Sequence, residues 1–286
     1  MTTDNLADIL NPAQLGDMVF RGAPRLGLPG NVFGGQLLGQ SVTAAGRTVP
    51  PGYLPHSLHA YFERPGDWAR PIDYRVDATR DGRSSARRRV VAVQGADLLA
   101  TVELSLRPVS DAHPEADHPA VDAGQASWTP EPADDDHARQ LRSWLAALTS
   151  MLRLDVRFFE EPARSRVLRT GSAPPRQRFL VRPADPLPKE PLLHAAAVAY
   201  LSDMFLLSAS LGPLGVVMGD RRLRAVSLDH SLWFSPRPDA QTWLLHETTT
   251  VRSWTDRALC RGQIYDLAGR AVADSTQEGL VRLTHD

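Results

Sequence analysis

"PLLHAAAVAYLSDMFLLSASLG" (191–212) is the most apolar stretch of a 286-residue chain. It opens on Pro191 and closes on Gly212, the asymmetry of a helix that starts with a preset φ and stops at a flexible residue. It carries His194, Tyr200, Ser202 and Asp203, so it reads as a helix buried in protein rather than a membrane span. None of its faces is charged, so other elements must cover most of its surface.

A second stretch has the same character. "NVFGGQLLGQSVTAAGRTV" (31–49) also lacks a charged face and stops before Pro50–Pro51. Each helix candidate follows a short Val- and Phe-rich strand candidate, "DMVFRGAP" (17–24) and "LDVRFFEEP" (154–162). Each precedes long strand-like runs. "SLHAYFERPGDW" (57–68) matches "SLWFSPRPDAQTW" (231–243), both with an aromatic pair and then a proline-containing turn. "VQGADLLATVELSLR" (93–107) matches "YDLAGRAVADSTQEGLVR" (265–282). The offset drifts from 172 (Phe62 to Phe234) to 175 (Arg107 to Arg282), as a short insertion would produce.

The repeat predicts an α+β fold in which each half curls an antiparallel sheet around one buried helix. Residues 1–107 form the first repeat, 108–150 a linker with a connecting helix, and 151–286 the second repeat. The Pro-, Asp-, His- and Ala-rich segment 108–140 has too little apolar content to pack. Its acidic triplet Asp134–Asp136 reads as solvated, or as the start of the helix "ARQLRSWLAALTSML", where negative charge is favourable.

The composition, 42% hydrophobic and 23% charged with a net charge of -1, is that of a globular chain. It gives no clustered excess of positive charge for nucleic acid or an anionic membrane, and neither is expected as a partner. Lys189 is the only lysine; the arginine excess reads as genome composition. One cysteine, Cys260, excludes an internal disulfide and a cysteine-rich metal site, and the nine histidines show no metal spacing. No metal or cofactor is predicted. The N-terminal "MTTDNLADILNPAQL" lacks the pattern of a secretory signal, so a cytoplasmic location is expected.

The strings "NVFGGQLLGQ", "HSLHAYFERPGD", "LDHSLWF" and "STQEGLVR", in that order, resemble the type II acyl-CoA thioesterases, the TesB-like family. The likeness runs from about Leu15 to Arg282 and is weakest in the linker. It implies a double hotdog fold: two antiparallel sheets, each wrapped around a long central helix. It also implies hydrolysis of fatty acyl-CoA to free acid and CoA, acyl-CoA as the partner, and a homodimer or homotetramer. A non-catalytic acyl-CoA sensor is the alternative.

The resemblance implies a catalytic Asp, Ser or Thr, and Gln in the second half, matched by Asp203, Ser227 and Gln277. Gly34, Gly35, His56 and Asp229 are assigned to substrate binding. The chemistry suits these side chains. A carboxylate among Ala, Val, Leu and Met is costly unless paired or used, and Asp203 sits too far from Pro191 and Gly212 to cap a helix end. A carboxylate can take the proton of an attacking water. A hydroxyl both donates and accepts, and a neutral amide holds geometry without repelling the carboxylate. Gln277 is read as standing at the mouth of the last strand. Gly34 and Gly35 admit two readings, close approach of substrate or close helix–sheet packing.

The repeat offsets match Ser227 to about Pro55 and Gln277 to about Val102, so the first half lacks both polar partners and one site per chain is expected. No G-x-S-x-G elbow occurs. Ser227 and His230 diverge if 227–234 is a regular strand, whereas Asp229 would share the face of Ser227. Cys260 reads as a small core residue. "DRRLR" (220–224) and "ARRR" (86–89) are candidates for the CoA phosphates, or solvated surface runs.

Overall fold

The computed structural model describes residues 5–25, 28, 30–109, 118–129 and 135–284. The helices are α1 (Leu6–Ile9), α2 (Gly34–Gly46), α3 (Asp136–Leu152), α4 (Ala163–Thr170) and α5 (Pro191–Ser202). The first-half strands are β1 (Ala13–Gly16), β2 (Val19–Gly22), β3 (Tyr53–Phe62), β4 (Ile72–Asp81), β5 (Ala86–Gln94) and β6 (Asp97–Pro108). The second half contributes β7 (Leu154–Phe158), β8 (Arg176–Pro183), β9 (Leu223–Ser227), β10 (Asp229–Phe234), β11 (Leu244–Trp254), β12 (Arg257–Tyr265) and β13 (Ala271–Leu283).

All pairings are antiparallel, in the order β1-β2-β4-β5-β6-β3-β10-β13-β12-β11-β8-β7, with β9 also on β13. The halves join edge to edge through β3 and β10, so both wrapped sheets merge into one. His59 lies opposite Ser231 in that pairing, and their side chains hydrogen-bond at 3.0 Å. The two residues are 172 apart, the spacing that relates Phe62 to Phe234, so equivalent residues of the repeats face each other across a local two-fold. Short turns join β4 to β5, β5 to β6 and β11 to β12, as antiparallel neighbours allow.

Inside the sheet lie α2 and α5, antiparallel and in contact. Leu193 to Ser202 are all buried, as are Gly35 to Ala45. Small residues let the backbones approach. A Cβ on Gly35 would fall 2.1 Å from the Tyr200 carbonyl oxygen, and one on Gly39 2.9 Å from that of Ala196. By length and composition the helical run Pro191–Leu214 is apolar enough to cross a membrane, but 72% of its most apolar window is buried inside the protein. It is the core helix of the second repeat. Each half is a hotdog, a sheet rolled around one helix, and the chain is a double hotdog.

Two expectations change. The linker does pack: Val121 and Ala126 are buried against Leu180, Leu245 and Tyr265, because even a sparse apolar content can cover the outer face of β8, β11 and β12. Of the acidic triplet, Asp134 lies outside the described residues, Asp135 is the N-cap of α3 and Asp136 its first residue. The buried second helix is also shorter than expected, ending at Ser202 rather than near Gly212. Phe205 takes a left-handed φ of 58°, and short 3₁₀ turns follow at Leu207–Ser210 and Gly212–Leu214. The Phe205 ring packs edge-on to Phe179 at 5.2 Å and lies near Phe158 and Trp144, contacts that hold a conformation costly for a bulky residue.

Candidate active site

Because α5 stops early, Asp203 is its C-cap, contrary to the reading that placed it well inside a helix. The carboxylate points at the start of α2. Asp203 Oδ2 accepts from the Gly35 N–H at 2.9 Å. The N-cap of α2, Phe33, gives no side-chain hydrogen bond, so Asp203 supplies the cap from the other repeat.

Gln277 is not at the mouth of the last strand. β13 begins six residues earlier at Ala271, and Gln277 is fully buried in its middle. Its Nε2 donates to Asp203 Oδ1 at 3.1 Å and to Ser227 Oγ. Asp203, Ser227 and Gln277 therefore converge, although 50 and 74 residues separate Gln277 from its two partners.

A bulge explains how Ser227 joins them. Ser227 pairs with Gly279 and Ser231 with Thr276, so one extra residue lies on the β9–β10 side around Leu228 and Asp229. The bulge overturns the regular-strand reading. Ser227 and His230 both face inward, opposite Gly279 and Gln277. Asp229 turns the other way, where its Oδ1 accepts from the Glu278 N–H at 2.7 Å. Ser227 and His230 still form no dyad: Ser227 contacts Gln277, whereas His230 Nε2 lies 3.0 Å from Ser202 Oγ.

The same register corrects the repeat alignment. Pro55 pairs with Leu106 and Leu58 with Leu104, with a matching bulge between Pro55 and Ser57. The equivalents of Ser227, His230 and Gln277 are thus Pro55, Leu58 and Leu104. Leu104, not Val102, matches Gln277, because the bulge absorbs part of the offset drift. All three first-half positions are apolar.

Asp203 and Ser227 open onto a cavity of ≈ 420 Å³. Its walls are largely apolar: Leu148, Phe158, Val167, Phe205, Leu207 and Leu211. Volume and lining fit a flexible hydrocarbon chain. Gly34 lies on the wall beside the carboxylate; a Cβ there would sit 2.8 Å from Asp203 Oδ2. Gly35 meets the backbone of α5. Gly34 thus lies on the cavity wall, whereas Gly35 serves close packing of helix on helix, not the helix–sheet packing expected of it.

Burial raises the Asp203 carboxyl to about 6, while the hydrogen bonds from Gln277 and then Gly35 pull it back down. The group is mainly ionised at neutral pH and more basic than an ordinary aspartate. Burial pushes the Cys260 thiol up to about 11, so this side chain, opposite Gln277 on β12, is an inert core residue. Among the described residues, no group of three or more His, Cys, Asp or Glu is placed to hold a metal ion.

Two residues assigned to substrate binding lie elsewhere. Asp229 is committed to the Glu278 backbone, as above. His56 sits at the β3 bulge in a small niche with Leu54, Arg107 and Phe234, because that bulge turns it away from the helix pair. The arginine strings do not reach the cavity either. Arg222 pairs with Asp220 at 2.8 Å, Arg88 is buried against Asp81 at 2.8 Å, and Arg89 bonds Glu103. The arginine on the cavity wall is Arg164 of α4, stacked 4.8 Å over Trp144 and donating to the Met218 carbonyl at 2.9 Å. Sequence reading missed it and α4, whose eight residues carry little apolar pattern. Trp144 and Leu148 were findable, one helical turn apart on the amphipathic "ARQLRSWLAALTSML".

The fold is a double hotdog, and it brings a buried carboxylate, an alcohol and a carboxamide together beside an apolar cavity. Residues 149–280 match the acyl-CoA thioesterase family and residues 24–106 the acyl-CoA thioesterase N-terminal domain. The chain is 32% identical to acyl-CoA thioesterase II TesB2 from Mycobacterium marinum, whose crystal structure superposes with a TM-score of 0.72 over 98% of this chain and 97% of that one. It is 27% identical to acyl-CoA thioesterase 2 from Haemophilus influenzae over 98% of both chains. Against human acyl-coenzyme A thioesterase 8 it is 29% identical, over 96% of this chain and 88% of that protein. The chain belongs to the acyl-CoA thioesterase family, and its reaction class is thioester hydrolysis.

Proposed function

We propose that the protein hydrolyses fatty acyl-CoA to free fatty acid and CoA, with Asp203 as general base, Ser227 and Gln277 holding the attacking water, and the acyl chain in the cavity. The observation that carries this reading is the convergence of Asp203 and Gln277 at 3.1 Å, with Ser227 against the amide, beside an apolar cavity. The amide uses both of its hydrogens, one on Asp203 and one on Ser227. That leaves the serine O–H free to orient a water and Asp203 free to take its proton.

The water oxygen bonds to the thioester carbon as its proton passes to Asp203. The tetrahedral intermediate then expels the thiolate of CoA, which takes that proton back. Thiolate is a good leaving group, so no strong acid is needed opposite the base. The Gly35 N–H is taken by Asp203, so the amide of Gly34, on the cavity wall at the start of α2, is the one suited to stabilising the oxyanion.

One site per chain follows. The first-half equivalents Pro55, Leu58 and Leu104 offer no hydrogen-bonding side chain. A cytoplasmic location and assembly as a homodimer or homotetramer belong to the same proposal. The sensor alternative has no observation in its favour. The reading is tested by free-thiol release from a panel of acyl-CoAs of varied length and branching. Turnover that favours chains able to fill the cavity supports it; absence of turnover across the panel contradicts it.

A further inference from the structure

Something must hold the Gln277 amide with its NH₂ group toward Asp203. Flipped, it would set its carbonyl oxygen against the carboxylate. Gln277 is fully buried, and its Oε1 has no hydrogen-bond partner among the described residues. Directly across the β10–β13 pair lies His230, also fully buried and on the same inner face, one step beyond the Ser231–Thr276 pairing. Its Nδ1 is likewise buried and unpartnered, and its Nε2 lies 3.0 Å from Ser202 Oγ. Two orphaned buried polar atoms on facing residues are costly unless they serve each other.

We infer that His230 is the positioning residue for the catalytic amide: Ser202 Oγ–H donates to His230 Nε2, and His230 Nδ1–H donates to Gln277 Oε1. The hydrogen count selects this tautomer. Ser202 Oγ also lies 2.9 Å from the Ala199 carbonyl. If its hydrogen went there, His230 would carry its own on Nε2, leaving a bare Nδ1 facing a bare Oε1. Burial holds the imidazole neutral, down at about 4, so a second ring hydrogen is not supplied by protonation. The other titratable groups packed around the pair are Asp203 at the end of α5, His246 on β11, also kept neutral by burial, and Cys260 on β12.

A second observation points the same way. In the first repeat the positions of His230 and Gln277 are Leu58 and Leu104, facing each other in the same register. The imidazole and the amide are thus polar together in one half and apolar together in the other. Ser202 adjoins Asp203, so the chain Ser202–His230–Gln277 closes a ring back to the carboxylate it orients.

This inference rests on the proposed roles of Asp203, Ser227 and Gln277, and the experiment separates the two. Histidine ¹⁵N NMR on the native protein, with the His230 signal assigned by its loss in His230→Asn, reads the tautomer directly. A neutral Nδ1–H ring is expected; an Nε2–H ring overturns the inference, whatever the variants do. In steady-state assays, His230→Leu and His230→Gln lower kcat by about ten- to hundredfold with KM little changed. His230→Asn, whose amide nitrogen sits where Nδ1 was, restores most of the rate. In His230→Leu the acid limb of kcat/KM moves to higher pH, because Asp203 loses a held donor. Wild-type turnover with an unmoved limb in His230→Leu overturns the inference. Asp203→Asn in the same assay tests the parent reading: if it too turns over like wild type, the proposed function falls; if it is dead, only the His230 assignment falls.

Discussion

Asp203 Oδ2 accepts the Gly35 N–H at 2.9 Å, so the residue that ends one central helix caps the start of the other. The contact crosses the two repeats. It places the carboxylate where backbone amides are unsatisfied and the helix dipole favours negative charge. Under the local two-fold, its counterpart at the far end of the helix pair is Gly46 against Leu192, where a Cβ on Gly46 would meet Leu192 at 2.3 Å. One end of the pair is a polar site and the other is filled with side chain.

The two glycines of α2 meet different neighbours, Gly34 the proposed base and Gly35 the backbone of α5. In Gly34→Ala the new methyl meets Asp203 Oδ2 at 2.8 Å and Phe62 at 3.2 Å, side-chain atoms that can shift. The protein folds with a near-normal Tm and loses kcat. In Gly35→Ala the methyl meets the Tyr200 carbonyl oxygen at 2.1 Å, a backbone atom that cannot move without its helix. Thermal melting shows that loss in stability, of about 1–3 kcal/mol from overpacking.

The pH dependence follows from the sign of the Asp203 shift. The base works ionised, so kcat/KM rises through about pH 6 and is level above it. Gln277 lowers that value, so in Gln277→Ala the acid limb moves to higher pH and kcat drops. Stability runs the other way. The folded carboxyl titrates above its ordinary 3.8, so the folded state holds the proton more tightly than the unfolded chain. From this group alone, stability increases as pH falls through about 6 toward 4, and urea melts of wild type against Asp203→Asn over that window isolate it.

In the proposed mechanism Ser227 orients the water and does not attack. Ser227→Ala lowers kcat by about ten- to hundredfold, the loss of one positioned hydrogen bond rather than of a nucleophile. Ser227→Thr keeps the hydroxyl and most of the rate. Intact-mass spectrometry during turnover is expected to show no acyl-enzyme, and pre-steady-state thiol release no burst; a trapped acyl-enzyme would contradict the water-orienting role.

Leu148 and Leu211 line the cavity proposed for the acyl chain. Leu148→Trp fills part of the ≈ 420 Å³ cavity and shifts the preference in the acyl-CoA panel to shorter chains. Turnover of the shortest substrates stays close to wild type, because the reacting groups are untouched.

Much of this was legible in the residues. Apolar stretches at 31–49 and 191–212, neither with a charged face, point to the two core helices, and the matched strings near Phe62 and Phe234 expose the duplication. Asp203 stands out as a carboxylate in an apolar helix. What stayed hidden has specific causes. The helix ends at Asp203 through an aromatic residue, Phe205, in a left-handed conformation, with no Gly or Pro to signal it. The bulge at Leu228 and Asp229 carries no sequence mark, yet it reverses the faces of Ser227 and Asp229. The partnership of His230 with Gln277 depends on that bulge, so periodicity alone could not bring them together.

Everything mechanistic depends on Asp203 as the base. Its direct test is the rate of free-thiol release from a cavity-filling acyl-CoA by Asp203→Asn at pH 8, with Tm measured on the same sample. The account predicts a fall in kcat of about 10²- to 10⁴-fold with folding intact. A variant that keeps the wild-type rate contradicts it.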